Sequence, residues 1–307
     1  MTQTVADSTG EVQSTGSQTV DTAADRASIA AYYRQTQWQY YGLWSGRGTL
    51  ALHYGYWDGD VRSHRAALLR LNAVLAQRAE ITAGQRVLDA GCGWGGSSIW
   101  LARERDARCV GVTLETAQAG VGRMMARRRK VADKTDFALG DFGCLPFADA
   151  SFDVVWAVES VCHARDKRAF LAEAMRVLAP GGRLVLADFF RRDRNLPADQ
   201  ERLLRQWIGE WKVADLASLA EFERDAVAVG LADVAIEDAT DRIRPSAKRL
   251  HRTGLWTAPL AGLFRLVGLH SDHQQANWRS SMSQYHALQA DAWRYGVVSA
   301  RKPAAAG

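Results

Sequence analysis

Cysteine is scarce in this chain. The four present, Cys92, Cys109, Cys144 and Cys162, show none of the paired spacing of a disulfide framework or a zinc site. They read as reduced thiols of a cytoplasmic protein, and no metal is expected. No hydrophobic run is long enough to cross a bilayer, so stable membrane insertion is not expected. An excess of one charge is lacking too: the net charge is only +5, and Arg105, Arg123, Arg127 and Arg128 are scattered along helical stretches as on a solvated face. A nucleic-acid partner would need a coherent basic stripe with stacking aromatics, and none is expected. Residues 1–28 lack apolar periodicity, and they lack the basic start and hydrophobic run of a signal peptide. Rich in Thr, Ser, Gln, Asp and Gly, they predict a disordered tail.

What is present suffices for a sizeable core: 307 residues, of which 47% are hydrophobic. Ala67, Leu68, Leu71, Val74 and Leu75 recur on one side of a helix expected at 63–79. Strands are expected at 86–90, 109–113, 136–139, 152–157 and 183–188, with helices at 96–105, 116–130 and 167–178 between them. Such alternation predicts a doubly wound α/β sheet. Beyond it, Leu203, Leu204, Trp207, Ile208 and Trp211 make one apolar stripe, so 191–217 reads as a helical cap insertion. Residues 218–240 return to the core as a helix and a strand, 241–284 form a second cap insertion, and 285–307 hold the final strand and a tail. Together with an aromatic helical segment at 29–62, these insertions are expected to cover the carboxyl ends of the strands, where an open sheet binds its ligand.

The segment Val87-Leu88-Asp89-Ala90-Gly91-Cys92-Gly93-Trp94-Gly95-Gly96 leads from a buried strand through a glycine turn into a helix. Such a turn lets backbone N–H groups approach a ligand unobstructed. It is not the G-x-G-x-x-G dinucleotide fingerprint, and no lysine follows to make a phosphate loop. The order D-A-G-C-G-x-G-G resembles motif I of class I S-adenosylmethionine-dependent methyltransferases. That resemblance implies a Rossmann-like, seven-stranded, mostly parallel sheet with helical caps, residues 63–190 forming the S-adenosylmethionine-binding core. It implies Gly91, Gly93 and Gly95 around the cofactor, with Cys92 inside the turn and Asp89 capping it or orienting the methionine amine. Thr113 stands where many relatives carry an acid for the ribose. A polar residue there, with a glutamine after it, resembles the cyclopropane-synthase and sterol-methyltransferase branch, which implies Thr113 and Gln118 as ribose ligands. Glu115 reads as an ordinary acid in the first turn of a helix. In Gly140-Asp141-Phe142 the family comparison places Asp141 on the adenine amine and Phe142 beside the ring.

Glu159-Ser160-Val161-Cys162-His163 resembles the E-x-x-x-H segment of sterol side-chain and tocopherol C-methyltransferases. On a helical turn Glu159 and His163 would face one cavity, Glu159 also near the cofactor; a polar pair that merely holds the loop is the plainer reading. The chain carries 11 tryptophans. Tyr33, Tyr54, Trp207 and Trp211 are candidate substrate-binding residues, in a cavity whose aromatic faces would suit an isoprenoid and steady a carbocation. The resemblance extends to bacterial C-methyltransferases of prenyl diphosphates and of teleocidin-type prenylated indole alkaloids. The activity it implies is methylation of an alkene in a hydrophobic small molecule, releasing S-adenosylhomocysteine, with the cation resolved by proton loss to Glu159, by a shift or by cyclisation. Methylation of nitrogen or oxygen in a small natural product is the alternative. Arg242, Arg244, Lys248, Arg249 and Arg252 either clamp a diphosphate or face solvent. A homodimer or larger homo-oligomer is compatible with flat cap helices.

Overall fold

The structure is a computed structural model that describes residues 48–266 and 272–304, with the side chains of all but 258–266 and 272–274. The expected tail (1–28), Tyr33 and the neighbouring aromatics up to Trp44 lie outside the described residues.

The chain enters through α1 (His64–Arg78), whose start is capped by Ser63, its hydroxyl accepting from the Ala66 N–H. Its buried stripe of Ala67, Leu68, Leu71, Val74 and Leu75 lies against the sheet. Then follow β1 (Arg86–Ala90), α2 (Gly96–Glu104), β2 (Arg108–Thr113), α3 (Thr116–Arg128), β3 (Thr135–Leu139), β4 (Phe152–Val158), α4 (Lys167–Val177) and β5 (Leu178–Arg191). The remainder runs α5 (Ala198–Glu210), α6 (Leu219–Ala228), β6 (Ala232–Asp238), α7 (Thr240–Leu266), α8 (Asp272–Gln289) and β7 (Trp293–Arg301).

Seven strands form one sheet in the order β3-β2-β1-β4-β5-β7-β6. Pairs among β1 to β5 are parallel, whereas β7 runs antiparallel to both β5 and β6. The central strands are apolar on both faces because helices cover both: Val154, Val155, Trp156 and Ala157 of β4 are all fully buried. Strand order reverses between β1 and β4, which opens a crevice at their carboxyl ends.

Two boundaries differ from expectation. β5 begins at Leu178 and runs to Arg191 rather than spanning 183–188, since Leu178 pairs with Phe152 and the antiparallel ladder holds Arg183↔Arg301 through Arg191↔Trp293. Pro180-Gly181-Gly182 therefore lies inside the strand and kinks it, Gly181 taking φ +76°.

α5 packs on α8, and α8 on α7, over the β5–β7 edge. Arg191, almost fully buried, ties this cap to β5: its guanidinium meets Glu201 at 2.7 Å and Asp215 at 3.2 Å. Ser218 and Glu221 form a reciprocal capping box at the start of α6. Ser218→Ala is expected to lower stability by about 1 kcal/mol, read as a shift in the denaturant midpoint with an unchanged slope.

Candidate active site

The residues at the carboxyl ends of β1, β2, β3 and β4 converge on one cavity. Its lining includes Asp89, Gly91, Cys92, Gly93, Gly96, Ser97, Thr113, Glu115, Gln118, Asp141, Phe142, Glu159, Ser160, His163 and Trp211, closed on one side by Leu50–His53.

The glycine turn is drawn tight by the N–H groups of Gly91 and Cys92, which both donate to the Val112 carbonyl at 3.0 and 2.9 Å. Gly91 has φ +81°, and a Cβ there would lie 2.4 Å from that of Ser160. Ser160 is fixed in turn by donating to the Ala90 carbonyl at 2.7 Å. Gly95 serves a different purpose: a Cβ would lie 2.3 Å from the Phe137 ring, so Gly95 faces packing and not the cavity. Asp89 is buried and accepts from the Ser98 hydroxyl at 2.6 Å, and burial pushes its carboxyl up to about 6. Thr113 donates to Gln118 Oε1 at 2.6 Å, and both face the cavity. Glu115, read from sequence as an ordinary helix acid, is buried and lines the cavity beside them. Asp141 accepts from the Gly143 N–H at 2.8 Å, and Phe142 sets its edge on Phe170.

β4 ends at Val158, and Glu159 follows with φ +49°, an uncommon conformation for a side-chain-bearing residue that turns the chain into a short 3-10 turn, Val161–His163. Both Glu159 and His163 reach the cavity wall. Glu159 Oε1 accepts from the Tyr54 N–H at 2.7 Å and from the Tyr295 hydroxyl at 2.8 Å. Burial pushes the Glu159 carboxyl up to about 8, those two hydrogen bonds work against the rise, and the carboxylate of Asp188 adds to it. Asp188 is also raised by burial, while accepting from the backbone N–H of Cys162 at 3.0 Å. His163 is depressed to about 4 by burial and by the Lys167 cation, and its ring meets that of Trp211 edge-on at 5.6 Å. His53, likewise lowered by burial to about 4, joins its Nδ1 to the Tyr54 carbonyl at 2.8 Å.

Two of the expected substrate residues sit elsewhere. Trp207 is buried against Phe189, Trp211 and Trp293 and does not line the cavity, because its face of α5 is the one turned to the sheet. Tyr54 does not line it either; its ring packs on Phe189 and Tyr295, its hydroxyl donates to Gln284 Oε1 at 2.6 Å, and its N–H holds Glu159. Nor do the five cations of α7 reach it: Arg242 lies over Tyr56, Arg244 pairs with Asp241, and Lys248, Arg249 and Arg252 line a separate groove. Tyr295 and Asp188 escaped sequence reasoning; the one hint is a tyrosine in an apolar final strand.

The cradle suits S-adenosylmethionine on its own geometry. The start of α2 brings a positive helix end to the turn, Gly91 lets the backbone pass Ser160 where a Cβ would collide, and oxygen acceptors line the cavity after β1, β2 and β3, those of Asp89, Thr113 and Glu115 buried and that of Asp141 half-buried. Residues 88–186 match a family model described as a methyltransferase domain. The chain belongs to the class I S-adenosylmethionine-dependent methyltransferases and is an enzyme of that class. Among its relatives, 27-O-demethylrifamycin SV methyltransferase of Amycolatopsis mediterranei (strain S699) is 34% identical over 259 residues, covering 82% of this chain and 90% of that one. A probable chloroplastic tocopherol O-methyltransferase of Oryza sativa subsp. japonica is 31% identical over 255 residues, 78% of this chain and 69% of that one. Of solved structures, the [4+2]-cyclase SpnF superposes with a TM-score of 0.74 at 25% identity, covering 91% of this chain and 97% of that one. Among the described residues no group of three or more His, Cys, Asp or Glu side chains is placed to hold a metal, and no helix is long and apolar enough to cross a membrane.

Because the Tyr295 hydroxyl lowers the Glu159 carboxyl toward its ordinary value, Tyr295→Phe is expected to raise it further above about 8. The ascending limb of the pH–rate profile should move to higher pH while the plateau is kept. An unmoved limb would show that Glu159 is not the group being titrated.

Proposed function

We propose that this enzyme transfers a methyl group to a hydroxyl oxygen of a small, largely apolar natural product. The observation that carries the reading is that Glu159 and His163 share one cavity wall with pKa values pushed apart, Glu159 up to about 8 and His163 down to about 4. S-adenosylmethionine, when bound, supplies a methyl group on a positively charged sulfur. A phenol-like hydroxyl has a pKa of about 10, so proton transfer to His163 is uphill by about 6 units and to Glu159 by about 2. Glu159 is therefore the base. His163, neutral at pH 7, orients the hydroxyl and keeps Trp211 against the cavity. Glu159 would take up the proton that the acceptor hydroxyl gives up on methylation. A positive charge nearby favours the ionised carboxylate and readies it for that role. The names of the two relatives, one a 27-O-demethylrifamycin SV methyltransferase and one an O-methyltransferase, agree with an oxygen acceptor.

Alkene methylation through a carbocation is the second reading, favoured by Trp211 and Phe142 on the cavity wall. A diphosphate is not required of the substrate, because the α7 cations lie elsewhere. Incubation with methyl-labelled S-adenosylmethionine and a panel of hydroquinones, phenolic macrocycles, prenylated alkaloids and prenyl diphosphates, followed by NMR, separates the two. Methyl on oxygen is expected. A new carbon–carbon bond on a prenyl chain would overturn the oxygen assignment.

A further inference from the structure

We propose that the outer side of α7 docks this enzyme on an anionic lipid surface. Along Thr240–Thr257 five cations, Arg242, Arg244, Lys248, Arg249 and Arg252, stand against the single acid Asp241. Lys248, Arg249 and Arg252 line one groove with Arg62 and the rings of Trp57 and Trp256. Trp256 is 81% exposed and its neighbour Leu255 is 52% exposed. The helix then continues through Ala-Pro-Leu-Ala-Gly-Leu-Phe-Arg-Leu at 258–266, where Arg265 is the one charged residue.

A cationic belt edged by an exposed tryptophan and leucine is what meets a bilayer interface: headgroups take the cations, and the indole sits at the boundary. An acidic protein would satisfy the cations but leave Trp256 and Leu255 without a counterpart. A second copy of the chain would set like charges against each other. A lipid surface supplies both chemistries at once.

The placement also connects to the active site. Ser246, in the same helix, accepts from the Gly55 N–H at 3.0 Å and from the Trp57 indole at 2.9 Å, beside the Tyr54 N–H that holds Glu159. A docked α7 would thus stand at the membrane with its inner side on the segment that walls the site, a suitable place to receive an acceptor dissolved in lipid. The docking surface stands independently of which atom is methylated.

The test is co-sedimentation of the full chain with vesicles of phosphatidylglycerol and phosphatidylcholine mixed equally, against vesicles of phosphatidylcholine alone. Binding is expected to the anionic vesicles and to weaken in high salt. Each cation lost should weaken binding about fivefold, so that K248Q/R249Q/R252Q loses about a hundredfold and W256S about tenfold. Both variants should keep the parent's thermal midpoint and its affinity for S-adenosylmethionine, which separates lost docking from lost folding. Equal sedimentation with both kinds of vesicle, or anionic binding that neither variant changes, would overturn the proposal. So would a dimer in light scattering that W256S alone dissolves, since the surface would then belong to a second copy.

Discussion

Glu159→Gln is expected to reduce kcat by a factor of about a hundred to ten thousand and, at alkaline pH, to make the protein more stable than its parent. Glutamine keeps an oxygen where Oε1 accepts from the Tyr54 N–H and the Tyr295 hydroxyl, so the left-handed turn at residue 159 retains its anchors. It cannot take up a proton, and the base is lost. The stability effect follows from linkage. The carboxyl titrates near 4.5 when unfolded and at about 8 when folded, so the folded state holds the extra proton between those values. The stability this contributes is complete below pH 4.5 and is lost as pH rises through 8. For a half-buried carboxyl on a cavity wall the loss is at most on the order of a few kcal/mol. Asp89 and Asp188, both raised by burial, add slope in the same direction, so the informative quantity is the difference between parent and variant. Thermal melts from pH 5 to pH 9 should show the variant's curve as the flatter one. Turnover that survives the substitution would move the base to His163, and identical slopes would mean that the carboxyl is not desolvated.

The second large effect separates two glycines of a single motif. Gly91→Ala is expected to weaken turnover at least tenfold with a modest stability cost, and Gly95→Ala to cost about 3 kcal/mol of stability. Both take positive φ, where a Cβ is strained, yet what that Cβ meets differs. At Gly91 it presses on Ser160, a neighbour of Glu159 in the chain, so the disturbance reaches the turn that carries Glu159. At Gly95 it enters the Phe137 ring, which is almost fully buried between β3 and the helices and has no room to retreat. Removing the Ser160 Cβ gives relief for the first defect alone. Gly91→Ala combined with Ser160→Gly should therefore recover part of the lost turnover, whereas trimming Phe137 to relieve Gly95→Ala would itself empty a buried core position. A double variant no better than the single one would place the damage in the cofactor turn itself.

The alternation of strands and helices and the motif at Asp89–Gly96 were enough to read a seven-stranded, mostly parallel sheet and its cofactor, because local patterns and a close backbone approach write themselves into neighbouring residues. What stayed hidden depends on pairings distant in the chain. The extra length of β5 comes from a ladder to residues more than a hundred positions away. Tyr295 reaches Glu159 through that same ladder, which sets Tyr295 opposite Phe189. Trp207 and Tyr54 carry the aromatic chemistry of a binding wall, yet composition does not say which way a ring turns, and both turned into the core. Glu115 read as an ordinary first-turn helix acid because nothing within one helical turn shows that residues 50–53 wall the same cavity.

The antiparallel β7 has a consequence for the order in which the protein comes into being. It lies between β5 and β6, though in chain order it is the last of the seven strands to be made. Until it emerges from the ribosome, β5 and β6 each present an unpaired edge, and Glu159 is without the Tyr295 hydroxyl. The nascent chain is thus most prone to stick to others at a moment when its active site is also incomplete. Arrival of one strand pairs both edges and delivers that hydroxyl, so protection from aggregation and the last contact of the Glu159 carboxylate begin at the same step of synthesis.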